Sequence, residues 1–180
     1  GSQSALGTIT DDDGAPTISS VSSDTQLEGT DLVHTVTLSN ASSSVTSFAF
    51  DLSGGSATGG TDYTTPPTFS NGVTLAAGVL SVPAGVTSFT ITVPTLTDSI
   101  DEGAAETYNL SVGSQSALGT ITDDDGAPTI TSVTSDSQLE GTNLVHTVSL
   151  SNASSSATSF AFDLSGGNAS GGTDYTTPPT

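Results

Sequence analysis

Residues 45–52 read "VTSFAFDL" and residues 86–96 read "VTSFTITVPTL". In both stretches apolar side chains fall on alternate positions: Phe48, Phe50 and Leu52 in the first, Phe89, Ile91 and Val93 in the second. A period of two puts those residues on one face of a strand, whereas a helix would need them three and four apart. The same alternation carries Leu32, Val36 and Leu38, and again Tyr108, Leu110 and Val112. Working outward to the Gly, Ser, Asn and Pro residues that bound each run gives seven expected strands. They cover 16–22, 31–39, 45–52, 63–81 with an irregular middle at Pro66 and Pro67, 86–96, 106–112 and 116–122. Helical periodicity is nowhere convincing.

Residue 1 aligns with residue 113, and the match runs without a gap to residues 68 and 180, a period of 112. The 68 aligned pairs differ at eight positions, among them Asp31/Asn143 and Val45/Ala157. A long, nearly identical period is the signature of an array. The chain is therefore expected to hold the last strand and acidic linker of one repeat (1–13), a complete repeat (14–125) and the N-terminal half of the next (126–180). Because it opens inside the period, it is expected to be an internal fragment. The last piece, alone, would leave strand edges and an open core. Seven alternating strands in about 110 residues fit an all-β fold: a seven-stranded antiparallel immunoglobulin-like β-sandwich, repeated in tandem.

Composition narrows the function classes. The 180 residues include no Lys, no Arg, two His and 19 Asp plus Glu, for a formal charge of -19. Nucleic-acid binding needs cationic side chains on phosphates, and anionic membranes repel such a chain. No run approaches the ~20 apolar residues of a membrane span. Low complexity with high charge often means disorder, but the mean hydropathy of +0.00 and the alternating apolar runs argue for folding. With no Cys there is no disulfide framework and no thiolate metal site. The expected partners are cations.

If the strands alternate in direction, the loops after the first, third and fifth strands and the segment after the seventh share one pole. Eleven of the repeat's twelve acids lie in or beside those loops: Asp24, Glu28, Asp31, Asp62, Asp98, Asp101, Glu102, Glu106, Asp123, Asp124 and Asp125. The twelfth, Asp51, is near the end of a strand that reaches the same pole, and the opposite pole has none. Charges kept for solubility should spread over both poles. Like charges ~4 Å apart cost about 4 kcal/mol at an effective dielectric near 20, so "DDD" at 123–125 needs a counter-charge. A hard divalent cation wanting about six to eight oxygens is the natural one, and calcium fits. "DSIDEGAAE" (98–106) has Gly at its sixth position but Ile100 at its third, so it is not an EF-hand loop. The site must be assembled from distant loops.

"LEGT" (27–30), "GTDY" (60–63), "DSIDEG" with "ETY" following (98–108) and the closing "GTITDDD" (119–125) together resemble the Calx-beta motif, over the whole 112-residue unit. That motif occurs in sodium-calcium exchanger regulatory domains and in tandem extender repeats of large bacterial surface adhesins. Near-identical repeats without basic residues resemble the extenders of RTX-type adhesins more than an exchanger. The resemblance implies calcium held by Glu28, Asp62, Asp98, Glu102, Glu106, Asp123, Asp124 and Asp125, with Asp101 of the same block counted among them, and several Ca2+ ions per repeat junction. It also implies an extracellular location on a bacterial cell surface.

His34 alternates with Leu32, Val36 and Leu38, so it reads as a packed, hydrogen-bonded strand residue. Catalysis is not expected: there is no Cys, Lys, Arg or Trp, and no small-molecule substrate is implied. The expected function is a calcium-rigidified structural extender, its partners the neighbouring repeats of the same chain. The alternative is a ligand-binding or calcium-sensing β-sandwich module, but a sensor needs a bistable element, while near-identical repetition suits a spacer.

Overall fold

Every second residue of Leu32–Leu38 is buried, which makes this strand the spine of one sheet. In the computed structural model, which describes residues 1–177, the strands in chain order are β1 (Ile18–Val21), β2 (Asp24–Leu27), β3 (Leu32–Leu38), β4 (Thr46–Gly55), β5 (Thr68–Phe69), β6 (Thr74–Ala76), β7 (Val79–Val82), β8 (Ser88–Val93), β9 (Ile100–Asp101), β10 (Glu106–Val112), β11 (Gln115–Thr122), β12 (Ile130–Val133), β13 (Val148–Leu150) and β14 (Ala153–Ser154). There is no helix among the described residues. The chain divides into two compact units: Gly1–Thr97 with Ala105–Thr122, and Asp98–Ala104 with the residues from Asp123 onward.

The first unit has a four-stranded sheet, ordered β1-β3-β8-β5, and a six-stranded sheet, ordered β2-β11-β10-β4-β7-β6. Leu32, Val36, Phe89, Ile91 and Val93 from the one, and Leu80, Val82, Tyr108, Leu110 and Val112 from the other, are fully buried in a single core. Phe48, Phe50 and Leu52 pack against it. The stretches that open the sequence reading thus supply one strand to each layer of a sandwich.

Two expected stretches differ. The strand expected at 16–22 is β1, paired antiparallel with β3, and a further strand follows where a loop was expected: β2 pairs parallel with β11 in the other sheet. Short-range polar groups hold the crossing. Ser22 Oγ accepts the Thr35 N–H at 2.7 Å, and the Asp24 carboxylate accepts the Val33 N–H at 2.7 Å and the Thr25 N–H at 2.9 Å. The long strand expected at 63–81 becomes β5, β6 and β7. Turns at Asn71–Gly72 and Ala77–Gly78, all with positive φ, take the chain from β5, beside β8 in one sheet, through β6 to β7, beside β4 in the other. Ala77, at φ 48°, is the costly residue here, since a left-handed L-residue costs roughly 1–2 kcal/mol. The repeat therefore has more and shorter strands than seven, because hydrogen-bonding side chains and turns redirect the edges.

One end of this unit gathers the loops that strand parity groups together. Glu28 N–H donates to Thr122 O (3.0 Å), Thr95 Oγ1 to Thr30 O (2.9 Å), Thr64 N–H to Pro94 O (2.8 Å) and Leu96 N–H to Asp62 O (3.0 Å). At the far end Gly85 N–H donates to Ser42 O and Gly113 N–H to Ala49 O, each at 2.8 Å.

In the second unit, β12 and β13 pair as Ile130↔Leu150 and Val133↔Val148, the register of Ile18↔Leu38 and Val21↔Val36 shifted by the sequence period. Asp136 accepts the Val145 N–H as Asp24 accepts that of Val33. Yet every residue of β12 and β13 is exposed. Residues 158–164, which repeat part of the β4 sequence, form no strand. In the first unit β4 is held between β7 and β10, and residues 126–177 contain no counterpart of either.

His34 is fully buried in β3, with Nδ1 2.7 Å from Ser22 O and Nε2 2.8 Å from Tyr108 Oη. The carbonyl can only accept, so Nδ1 carries the proton and Nε2 accepts from the Tyr108 hydroxyl. Burial lowers the His34 pKa, outweighing the Ser22 carbonyl and the Asp24 charge. The unfolded chain then binds more protons than the folded one near pH 6, so this histidine's contribution to stability is present above its ordinary value of 6.5 and is lost as pH falls below it. Melting in a chelator from about pH 7.5 to about pH 5.5 should show that loss, and a Tyr108→Phe chain, its His34 Nε2 left without a donor, should be less stable by roughly 1–3 kcal/mol.

A Cβ built on Gly119 of β11 would lie 2.1 Å from the buried Tyr108 ring. Gly119→Ala should cost about 1–3 kcal/mol by overpacking and lower the melting temperature. Gly126→Ala, with nothing within 4 Å, should leave it unchanged.

Candidate metal centre

The first unit positions its acids through strand ends and one tight turn. Glu28 follows β2, and its N–H holds the last carbonyl of β11; the next residue in the chain after that carbonyl is Asp123. Asp62 sits in a closed turn: its N–H donates to Thr58 O (2.9 Å), its carboxylate accepts the Thr58 N–H (2.5 Å), and Gly60 N–H donates to Tyr63 O (2.8 Å). Glu106 opens β10 opposite Ile121 of β11. Asp62 and Glu106, both half-buried, offer carboxylate oxygens within 4.8 Å of one another. A carboxylate from a turn and one from a strand end, more than 40 residues apart in the chain, are thus brought together.

The second unit holds the other acids. Asp123, Asp124 and Asp125 offer oxygens within 4.8 Å of one another. Asp123 is an acceptor hub: Oδ2 takes the N–H groups of Glu102 (2.7 Å) and Gly103 (3.0 Å), and Oδ1 takes that of Asp125 (2.9 Å). Burial pushes its carboxyl up, but these three donors outweigh it and hold the group below the usual carboxylate range. Asp98 Oδ1 accepts the Ile100 N–H at 2.7 Å. Asp101 is used differently: Oδ2 accepts Ser154 Oγ (3.0 Å) and its carbonyl accepts Ser155 N–H (2.9 Å), in a parallel pairing of β9 with β14.

Asp125 has the opposite character to Asp123. Its Oδ2 is buried and accepts no hydrogen bond among the described residues. Burial raises its pKa, and the charges of Asp124, Asp123, Asp98 and Asp101 raise it further. An acceptor left without a donor is a cost to the fold, and more so when it is charged. The donor set is all oxygen and mostly carboxylate, which suits a hard cation and not a thiophilic one.

Two acids counted toward this end by sequence lie elsewhere. Asp24, at the start of β2, is opposite Gly119 and pins β3; Asp51 is inside β4 opposite Ser111, and accepts from Ser53 Oγ. Both serve the strands' own hydrogen bonding. The Ser154 contact to Asp101 is the feature sequence reading missed, since nothing in "NASSS" distinguishes a partner from an ordinary loop.

No protein-family model matches this chain, and no curated protein matches it. Solved structures do. CBD12 from CALX1.2 is similar with a TM-score of 0.45 at 21% identity, over 61% of this chain and 46% of that one. The calcium binding domain CBD12 of CALX1.1 gives the same figures, and the apo form of the Calx CBD1 domain a TM-score of 0.44 at 21% identity, over 57% and 91%. This chain spans about half the length of the first of these.

Proposed function

We propose that the chain is a calcium-binding β-sandwich module serving as a non-catalytic structural extender of a long repetitive bacterial cell-surface adhesin. The observation that carries the calcium reading is Asp125 Oδ2, buried, without a hydrogen bond and surrounded by like charge, in a chain without Lys or Arg. The repetition at a period of 112 supports the extender role, because a spacer needs length more than diversity.

In this reading Glu28, Asp62 and Glu106 are ligands in the first unit, and Asp98, Glu102, Asp123, Asp124 and Asp125 are ligands in the second. Asp101 joins them, while its Oδ2 also accepts a hydrogen bond from Ser154. Bound calcium would supply the positive charge that this polyanion lacks. Asp123 fixes the direction of the acidic segment through its three N–H contacts. Pro128, buried two residues beyond Gly126, restricts the linker that follows. A chain so held behaves as a rod, not a string, and its natural setting is outside the cell, where millimolar calcium meets sites of about 10⁻⁴ to 10⁻³ M affinity.

Calcium at about 100 times the dissociation constant should add about 2.7 kcal/mol by mass action, raising the melting temperature by roughly 10 °C. Asp125→Asn should reverse sign with condition. In chelator it relieves repulsion and melts at or above the parent; in calcium it melts below. Asp51→Asn should show no such crossover. Equal melting of the parent with and without calcium would reject the reading.

A further inference from the structure

The first unit contains a groove of about 500 Å³ between the Asp11–Asp13 turn and the serine loop that includes Asn40, Ser42 and Ser44. Both walls recur, identical in sequence, as "DDDGAP" at 123–128 and "NASSS" at 152–156. Their internal geometry recurs as well. Asp13 N–H donates to Asp11 Oδ1 at 3.1 Å, as Asp125 N–H does to Asp123 Oδ1 at 2.9 Å. Asn40 Nδ2 donates to Gly14 O at 2.9 Å, as Asn152 Nδ2 does to Gly126 O at 2.9 Å. Ser44 N–H donates to Ser42 Oγ at 3.1 Å, as Ser156 N–H does to Ser154 Oγ at 3.3 Å.

In the second unit both walls hold one segment. Asp123 accepts the Glu102 and Gly103 N–H groups, and Ala153–Ser154 pairs in parallel with Ile100–Asp101, with Ser155 N–H on the Asp101 carbonyl. The contacts are strand addition plus two N–H groups on one carboxylate, so they read backbone shape more than side-chain identity.

We propose that the groove between Asp11 and Ser42 is a docking site for the segment equivalent to Asp98–Ala104 of a preceding copy of the repeat. Asp11 then takes the two N–H groups that Asp123 takes, and Ala41–Ser42 takes the edge that Ala153–Ser154 takes. The serine loop is thus the receiving element of each repeat and the 98–104 loop its plug. This deepens the extender reading by naming the surface through which one repeat holds the next. It does not require calcium, because every anchoring contact is made by protein groups.

Amide hydrogen exchange tests it. Ser43, the counterpart of Ser155, donates no hydrogen bond among the described residues. In the 180-residue chain Ser155 should exchange at least about tenfold more slowly than Ser43. Placing a further copy of residues 14–112 before Gly1 continues the period without a gap, and should slow Ser43 to the rate of Ser155. Slowing in calcium or in chelator supports the docking. Fast exchange at Ser43 in both conditions overturns it, as does fast exchange at Ser155 in the 180-residue chain or slow exchange at Ser43 there. The calcium reading fails on its own evidence, the melting curves, whichever way these amides behave.

Discussion

A chain with 19 acids and no Lys or Arg must satisfy its carboxylates mainly with neutral donors, and this shapes the structure. The acids divide by how they meet it. Asp24 takes the Val33 N–H and so ties the crossing between the two sheets. Asp62 closes the turn at 58–62 on Thr58. Asp123 takes three backbone donors, and Asp101 a serine. Each uses a neutral donor, which a charged acceptor binds more strongly than a neutral one does. Asp125 Oδ2 takes none. That residue is where neutral donors run out.

The sandwich makes this shortage local. Alternating strands return the loops around Thr30, Asp62 and Pro94 to the end where β11 finishes, while the far end closes through Ser42, Gly85 and Ala49 and meets acids only in the Asp11–Asp13 segment beside Ser42. The buried core sets strand direction, strand direction sets which loops meet, and the loops set where charge accumulates. His34, held between Ser22 and Tyr108 in the core, joins the two sheets in the same arrangement.

The sheet-forming stretches were legible because alternation survives burial: Leu32–Leu38 and Ser88–Val93 bury every second residue. The convergence of Asp62 with Glu106 also followed from strand parity. The strand β2 in the expected loop after the first strand was not legible, since Ser22 and Asp24 act by hydrogen bonds to β3 that leave no mark on apolar periodicity. Nor was the breakup of 63–81, which depends on left-handed turns at Asn71 and Ala77; Ala77 carries no compositional signal for one. Asp51 was assigned toward the acidic end because β4 was expected to stop at Leu52, whereas it runs to Gly55. The hydrogen bond from Ser154 to Asp101 was not legible either, since the two lie 53 residues apart.

The central claim is the proposal that a divalent cation supplies positive charge where neutral donors are exhausted, at Asp125. Carboxyl-carbon NMR during a calcium titration addresses it residue by residue. The account predicts that Asp123, Asp124 and Asp125 shift together and saturate, with Asp62 and Glu106 moving alongside, while Asp24 and Asp51 stay fixed. A small drift shared by all acids, Asp24 and Asp51 included and without saturation, would contradict it.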